Sequence, residues 1–286
     1  MTLLKPLRQA ETLLNDIQMA RQDTDSLHVW WLGQSGFLVY CAGKTVLFDP
    51  YLSDSLTRKY AGTDKPHTRI SELVVDPAQL AGVDVITSSH NHTDHLDAET
   101  LLPLFANNPT AQFVIPEANR AFVADRLKTA PEWPIGLNSG ESRTVSGVVV
   151  HGVPAAHNTI ERDEFDQCRF MGYVVEIGPF VVYHSGDTLW YDGILDTLRP
   201  FGVDVAFLPI NGNRPERRVA GNLNADEAAR LGHEIGSKLV IPHHYDLFAF
   251  NTADPADFVA ACQQHKTPNR VMQLGEEISL NKTKNY

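Results

Sequence analysis

His90-Asn91-His92-Thr93-Asp94-His95 packs three imidazoles and a carboxylate into six consecutive residues. Imidazole nitrogen and carboxylate oxygen without a thiolate make the donor set of a hydrolytic zinc, manganese or iron centre, whereas structural zinc sites favour cysteine. With 12 histidines in 286 residues, so dense a window is uncommon by composition alone. Residues two apart do not share a helix face, so these side chains converge only if the segment is an irregular loop curled around one point. Further donors of the same kind stand at His157 in Val153-Pro-Ala-Ala-His, at Asp187 in Tyr183-His-Ser-Gly-Asp-Thr, and at His243 and His244 after Val240-Ile-Pro. Any one of them alone reads as an ordinary polar turn residue; together they suggest ligands converging on one rim.

The patterning shows which elements must position them. Asp84-Val-Ile-Thr-Ser-Ser is a strand that leads straight into the cluster, and Asp97 is an N-cap for a helix over 98–105, so the cluster occupies a strand-to-helix loop. His157, Asp187 and His243-His244 likewise follow strands over 143–152, 180–184 and 238–242. Short β-rich runs at 28–32, 37–41 and 45–48, separated by Gly33, Gly36 and Gly43, predict an antiparallel meander. Strands are also expected at 112–116, 173–177 and 204–209, with helices over 117–128 and 225–235, the latter capped by Asn224 with Glu227 three residues on. Leu3, Leu4, Leu7, Leu14, Ile17 and Met19 are spaced as in an amphipathic helix within residues 1–22, and 50–77 reads as a long polar loop. Two strand-rich halves, meeting near 135–145 and each ending in helices, predict one α/β domain over 1–286: a four-layer αββα sandwich with mostly antiparallel or mixed sheets.

A formal charge of −11 repels a polyanionic backbone, so nucleic acid is not expected as a partner, although a small anionic substrate is compatible with it. Cys41, Cys168 and Cys262 are too few and too scattered for a disulfide framework. The N-terminus lacks the apolar run of a signal peptide, and no segment approaches the roughly 20 apolar residues of a membrane span. The expectation is a soluble cytoplasmic protein.

The H-x-H-x-D-H loop, a later His, a Gly-Asp after a strand and a last His after a strand resemble the ligand series of the metallo-β-lactamase superfamily, over about 30–245. The resemblance implies that superfamily's fold and a binuclear centre. His90, His92 and His157 would hold the first divalent ion, Asp94, His95 and the last His the second, with Asp187 bridging. Two ions about 3.5–4 Å apart share a water and lower its pKa toward neutrality, so the implied nucleophile is hydroxide. Asp94 would take the proton and pass it to the leaving oxygen. Trp30-Trp-Leu-Gly-Gln-Ser-Gly, Tyr183-His-Ser-Gly-Asp-Thr and Val240-Ile-Pro-His-His-Tyr-Asp are similar to the branch that contains the manganese-linked L-ascorbate 6-phosphate lactonases. That branch's Pro-x-His pattern selects His244 as the last ligand and leaves His243, with His184, behind the ligands. Zinc, manganese, iron and cobalt all remain open for these donors.

The reading that follows is a lactonase-like hydrolase acting on a small anionic metabolite of the sugar-phosphate type. Arg214 and Asn211, in the loop after a strand, are candidates to bind its phosphate or carboxylate, with Arg217 and Arg218 nearby. Tyr51, Asp54, Arg58 and Tyr60 would line the pocket from the long loop. A phosphodiesterase of phospholipase-D type is the alternative, because the same centre stabilises a phosphoryl transition state. A non-catalytic metal-binding protein ranks last, since the ligand series is complete. The resemblance also implies a homo-oligomer.

Overall fold

The computed structural model describes residues 2–282. The chain runs α1 (Glu11–Ala20), β1 (Leu27–Gly33), β2 (Gly36–Cys41), β3 (Lys44–Phe48), α2 (Ser55–Lys59), β4 (Val85–Thr87), α3 (Ala98–Asn107), β5 (Gln112–Pro116), α4 (Arg120–Leu127) and β6 (Ile135–Leu137). It continues with β7 (Ser142–Val145), β8 (Val148–Pro154), β9 (Met171–Ile177), β10 (Phe180–His184), α5 (Ile194–Leu198), β11 (Val205–Pro209), α6 (Ala225–Glu234), β12 (Leu239–His243), α7 (Pro255–His265) and β13 (Glu277–Leu280).

One sheet has the order β13-β1-β2-β3-β4-β5-β6 and the other β12-β11-β10-β9-β8-β7. Each is mixed. In the first, β13 to β3 pair antiparallel and β3 to β6 parallel. In the second, β7 to β10 pair antiparallel and β10 to β12 parallel. Phe37 of the first sheet stacks on Phe207 of the second with ring centroids 4.0 Å apart, so the two inner faces share one apolar core, as the αββα architecture requires. The parallel pairs need crossover connections, and α2, α3, α4, α5 and α6 lie in the segments that make them.

Three local expectations are corrected. The 143–152 run is a hairpin rather than one strand: Ser146 (φ 49°) and Gly147 (φ 89°) turn between Val145 and its partner Val148. Both central residues at positive φ give the turn whose twist matches the flanking strands. The 50–77 segment contains the short helix α2. At the N-terminus only Glu11–Ala20 is helical. Before it the chain is an extended arm, in which Leu4 bridges Ser71, Leu7 N donates to Leu274 O (2.7 Å) and Ala10 N to Val74 O (2.8 Å). Pro6 has no amide hydrogen and disfavours helix at Lys5, so the arm wins over the leucine spacing. Leu13 and Ile17 are buried, whereas Leu4, Leu7 and Met19 stay 47%, 54% and 71% exposed. Among the described residues, no helix is long and apolar enough to cross a membrane.

The first and last strands meet at a clasp. His28 of β1 places Nδ1 2.9 Å from Glu277 Oε1 of β13 and Nε2 3.3 Å from Asp23 Oδ2. Burial opposes the charged ring, but the Glu277 and Asp23 carboxylates outweigh it and raise the pKa above its ordinary 6.5. A folded pKa above the unfolded one stabilises fully below the unfolded value, and the gain is lost as pH rises through the folded value. His28→Asn is therefore expected to cost about 1 kcal/mol near pH 5.5 and less near pH 9, read by urea unfolding at both. Equal losses at the two pH values would mean that the ring is neutral throughout.

Candidate metal centre

All candidate ligands leave their strands at the same edge of the sandwich. β4 ends at Thr87 and feeds the 90–95 loop, β8 at Pro154 feeds His157, β10 at His184 feeds Asp187, and β12 ends on His243. The loop is closed by His95 N and Leu96 N, which both donate to His92 O (3.1 and 2.8 Å). Consecutive residues of a strand point to opposite faces, yet His243 and His244 both reach the site. His244 has φ 67°, a left-handed turn that swings its ring back beside that of its neighbour. Gly186 (φ 58°) admits no side chain: a Cβ there would lie 2.6 Å from Ser89 Cβ and 2.8 Å from Met171 O. That close approach sets Asp187 against the loop.

Donor atoms of His90, His92, His157 and Asp187 fall within 4.8 Å of one another, as do those of Asp94, His95 and His244, and those of Asp187, His243 and His244. Asp187 joins two groups. Its Oδ1 is 2.7 Å from His244 Nε2 and 3.4 Å from His95 Nε2, and its Oδ2 is 3.6 Å from His157 Nε2. Despite these distances, Asp187 Oδ1 and the Nε2 atoms of His90, His95, His243 and His244 are buried without an aligned hydrogen bond. Burial pushes the pKa of His90 well down, that of His92 to about 4, and that of His157 down as well, which leaves neutral rings with lone pairs to offer. Burial would raise Asp187, but the neighbouring His244 and His95 win and hold it well below the usual carboxylate range. Burial would lower His95, and Asp187 and Asp94 instead hold it well above. Both shifts report one imbalance, carboxylates buried together and calling for positive charge.

Behind these donors the chain supplies groups that hold the rings of His90, His95, His157 and His244. His95 Nδ1 donates to Asp49 Oδ2 (2.7 Å), His157 Nδ1 to Gly221 O (2.9 Å), and Ser89 Oγ lies 3.0 Å from His90 Nδ1. Gln34 Nε2 donates to Asp94 Oδ2 and lies against His244 Nδ1, both at 3.0 Å. His243 contacts Ser35 Oγ through Nδ1 and stacks on His184, whose Nε2 donates to Ser35 O. Asp49 and Gln34 carry no role in the sequence reading. The signal for Asp49 was its place at the end of β3, the same strand-end position that singled out Asp187. Thr188 accepts from Ala156 N, Asp97 caps α3 and Thr93 meets Lys59, so the side-chain hydrogen bonds of these three neighbours of the donors go elsewhere among the described residues.

A cavity of about 530 Å³ opens onto His92, Asp94, His157 and Asp187, walled by Lys59, Tyr60, Lys65, His67, Arg126 and Arg218. Of the residues expected to bind substrate, only Tyr60 and Arg218 face it. Arg214 and Asn211 line a different groove of about 560 Å³ between α6 and α7, away from the imidazoles. Tyr51 is buried, accepting Leu56 N, Asp54 pairs with Arg69, and Arg58 pairs with Glu99. Arg217 is spent on Asn211 O and Thr252 O.

The profile of the β-lactamase superfamily domain matches residues 44–245, well over half of the chain. The chain is 28% identical over 254 residues to a UPF0173 metal-dependent hydrolase of Pyrococcus abyssi, covering 88% of this chain and 99% of that protein. It is 29% identical over 262 residues to a UPF0173 metal-dependent hydrolase of Methanosarcina mazei, with 89% and 99% covered. Among solved structures, the metallo hydrolase Igni18 of Ignicoccus hospitalis superposes with a TM-score of 0.65 at 22% identity, over 90% of this chain and 99% of that one, a likeness of fold. On its matched profile and its paired mixed sheets, the chain belongs to the β-lactamase superfamily domain family and has the metallo-β-lactamase fold.

Proposed function

We propose that this chain is a metal-dependent hydrolase that opens a lactone or a comparable ester of a small anionic metabolite. His90, His92 and His157 would hold one divalent ion, Asp94, His95 and His244 a second, and Asp187 would serve both. The observation that carries the reading is the orphaned donor set: buried imidazole lone pairs and a carboxylate oxygen face one another with no aligned hydrogen bond between them. Each unsatisfied buried group costs about 1–3 kcal/mol, a cost that a shared cation removes. The donors are all nitrogen and oxygen, which fits zinc, manganese, iron or cobalt, and supports a site for chemistry over a structural thiolate site.

Ions bound there would supply Lewis acidity and an acidified water. The chain's own residues do the rest. Gln34 holds Asp94 by Oδ2, which leaves Oδ1 to take the proton of the attacking water and return it to the leaving oxygen. Asp49 and Gly221 hold His95 and His157 with their Nε2 atoms toward the site.

Protein prepared without added metal, then loaded with zinc or manganese, tests the reading on a panel of lactones, lactone phosphates and bis-p-nitrophenyl phosphate. Metal-dependent lactone opening is the expected result. A loaded protein inert to the lactones, or one preferring the phosphodiester, overturns the substrate assignment. Chelation is also expected to lower the melting temperature by about 10 °C, because an ion at a thousandfold excess over its Kd contributes about 4 kcal/mol. A melting temperature indifferent to zinc and manganese would remove the metal from the reading.

A further inference from the structure

The chain carries a net charge of −11, yet the wall of the cavity is cationic. Lys59, Lys65, Arg126 and Arg218 line it, and the only carboxylates that line it are Asp94 and Asp187, both in the donor set. Among the described residues, Arg218 alone of the four is in an ion pair, with Asp64. Lys59 Nζ donates to Thr93 Oγ1 at 3.2 Å, Lys65 Nζ to Arg218 O, and Arg126 Nη1 to Asn91 O and Leu96 O, both at 2.8 Å. Among the described residues, the hydrogen bonds of these three cations thus go to neutral oxygens. Arg126 is half-buried over the Phe122 ring at 4.4 Å, where a charge without a direct ion pair is costly to keep. Its Nε and Nη2 have no partner among the described residues, so one edge of the fork stays open to an oxyanion.

The placement of these heads is specific. Lys59 and Arg126 rest on Thr93 and Asn91, the two neighbours of His92, which lines the cavity together with His157 and is the more exposed of the two. A group held by these cations lies beside the donor set without being part of it. Two ammonium groups and an open guanidinium edge match a dianion with several acceptor oxygens better than a single carboxylate.

We propose that Lys59, Lys65 and Arg126 form an anion subsite that takes a phosphate group of the substrate, remote from the bond that is cleaved. The word substrate rests on the hydrolase reading; the binding does not. Calorimetric titration of the metal-loaded protein with inorganic phosphate tests it. The Lys59→Gln, Lys65→Gln pair is expected to weaken phosphate binding by about tenfold or more, with the Lys59→Arg, Lys65→Arg pair near wild type, and the wild-type affinity should fall with added salt. Lys128→Gln, at the C-cap of α4, outside the cavity lining and paired with Asp125, serves as the charge control and is expected to bind as wild type. Lys59 is exposed and Lys65 partly so, which leaves the fold intact, and a melting curve of each variant checks this. Phosphate affinity in the Gln pair within about twofold of wild type would assign the ion to the metal centre and overturn the subsite. That outcome is independent of the lactone panel: an inactive protein that loses phosphate with the Gln pair keeps the subsite and loses only the reaction.

Discussion

Asp187→Asn is expected to leave the fold standing, drop the bound metal from two equivalents to one or none, and reduce kcat/KM by about 10³, which is about 4 kcal/mol of transition-state stabilisation. The substitution keeps shape and removes charge from the centre of the site. Asp187 Oδ1 faces His95 and His244 while Oδ2 faces His157, so one change strikes both groups of donors. His92→Ala touches only the first group and should retain about one equivalent of metal, with a smaller loss of stability than a core substitution. Metal content by elemental analysis and kcat/KM on whichever substrate the panel selects are the two measurements. A protein that holds two ions after Asp187→Asn would remove the bridging role.

The convergence of the candidate donors was legible because each member follows a strand, and a strand's direction fixes where its last residue emerges. His90 to His95, His157, Asp187 and His244 needed no knowledge of side-chain rotamers to be brought to one edge. The cavity wall was not legible for the opposite reason. Arg58 and Lys59 are consecutive on the single turn of α2, yet Arg58 swings to Glu99 and Lys59 to Thr93. Residues one apart on a helix face about 100° away from each other, so a one-residue uncertainty in the helix start exchanges their roles. The same holds between Arg214 and Arg218: a short 3-10 turn over Pro215–Arg217 and a left-handed Arg218 (φ 52°) redirect the chain, which faces Arg218 into the cavity and Arg214 into the other groove. At the N-terminus the leucine spacing suited a helix, and Pro6 with the backbone partners at Ile70, Val74 and Leu274 suited an arm better.

Asp49→Ala is expected to cost about 3–5 kcal/mol of stability and to weaken metal binding at the His95 group by about 10–100-fold. Asp49 is fully buried and sits just past β3 with φ 40°, a conformation that aspartate tolerates better than most residues. Its Oδ1 accepts Thr87 Oγ1 and Ser89 N, both at 3.0 Å, and its Oδ2 accepts the Ser89 hydroxyl and His95 Nδ1. Truncation strands all of these donors in the interior and frees the His95 ring to turn its lone pair away from the site. Burial alone would raise this carboxyl, but His95 and His184 beside it keep the pKa low, so it is ionised where it is needed. Asp49→Asn separates the two effects. The amide oxygen can still accept from Thr87 Oγ1 and Ser89 N and the group fills the same space, but its NH2 can accept from neither the Ser89 hydroxyl nor His95 Nδ1, so stability should recover in part while metal affinity stays low. Urea unfolding without added metal, set beside metal titration of both variants, reads the two quantities independently. Recovery of metal affinity in step with stability across Ala, Asn and wild type would reduce Asp49 to a packing residue; affinity that stays low in Asn would make its charge the property that orients His95.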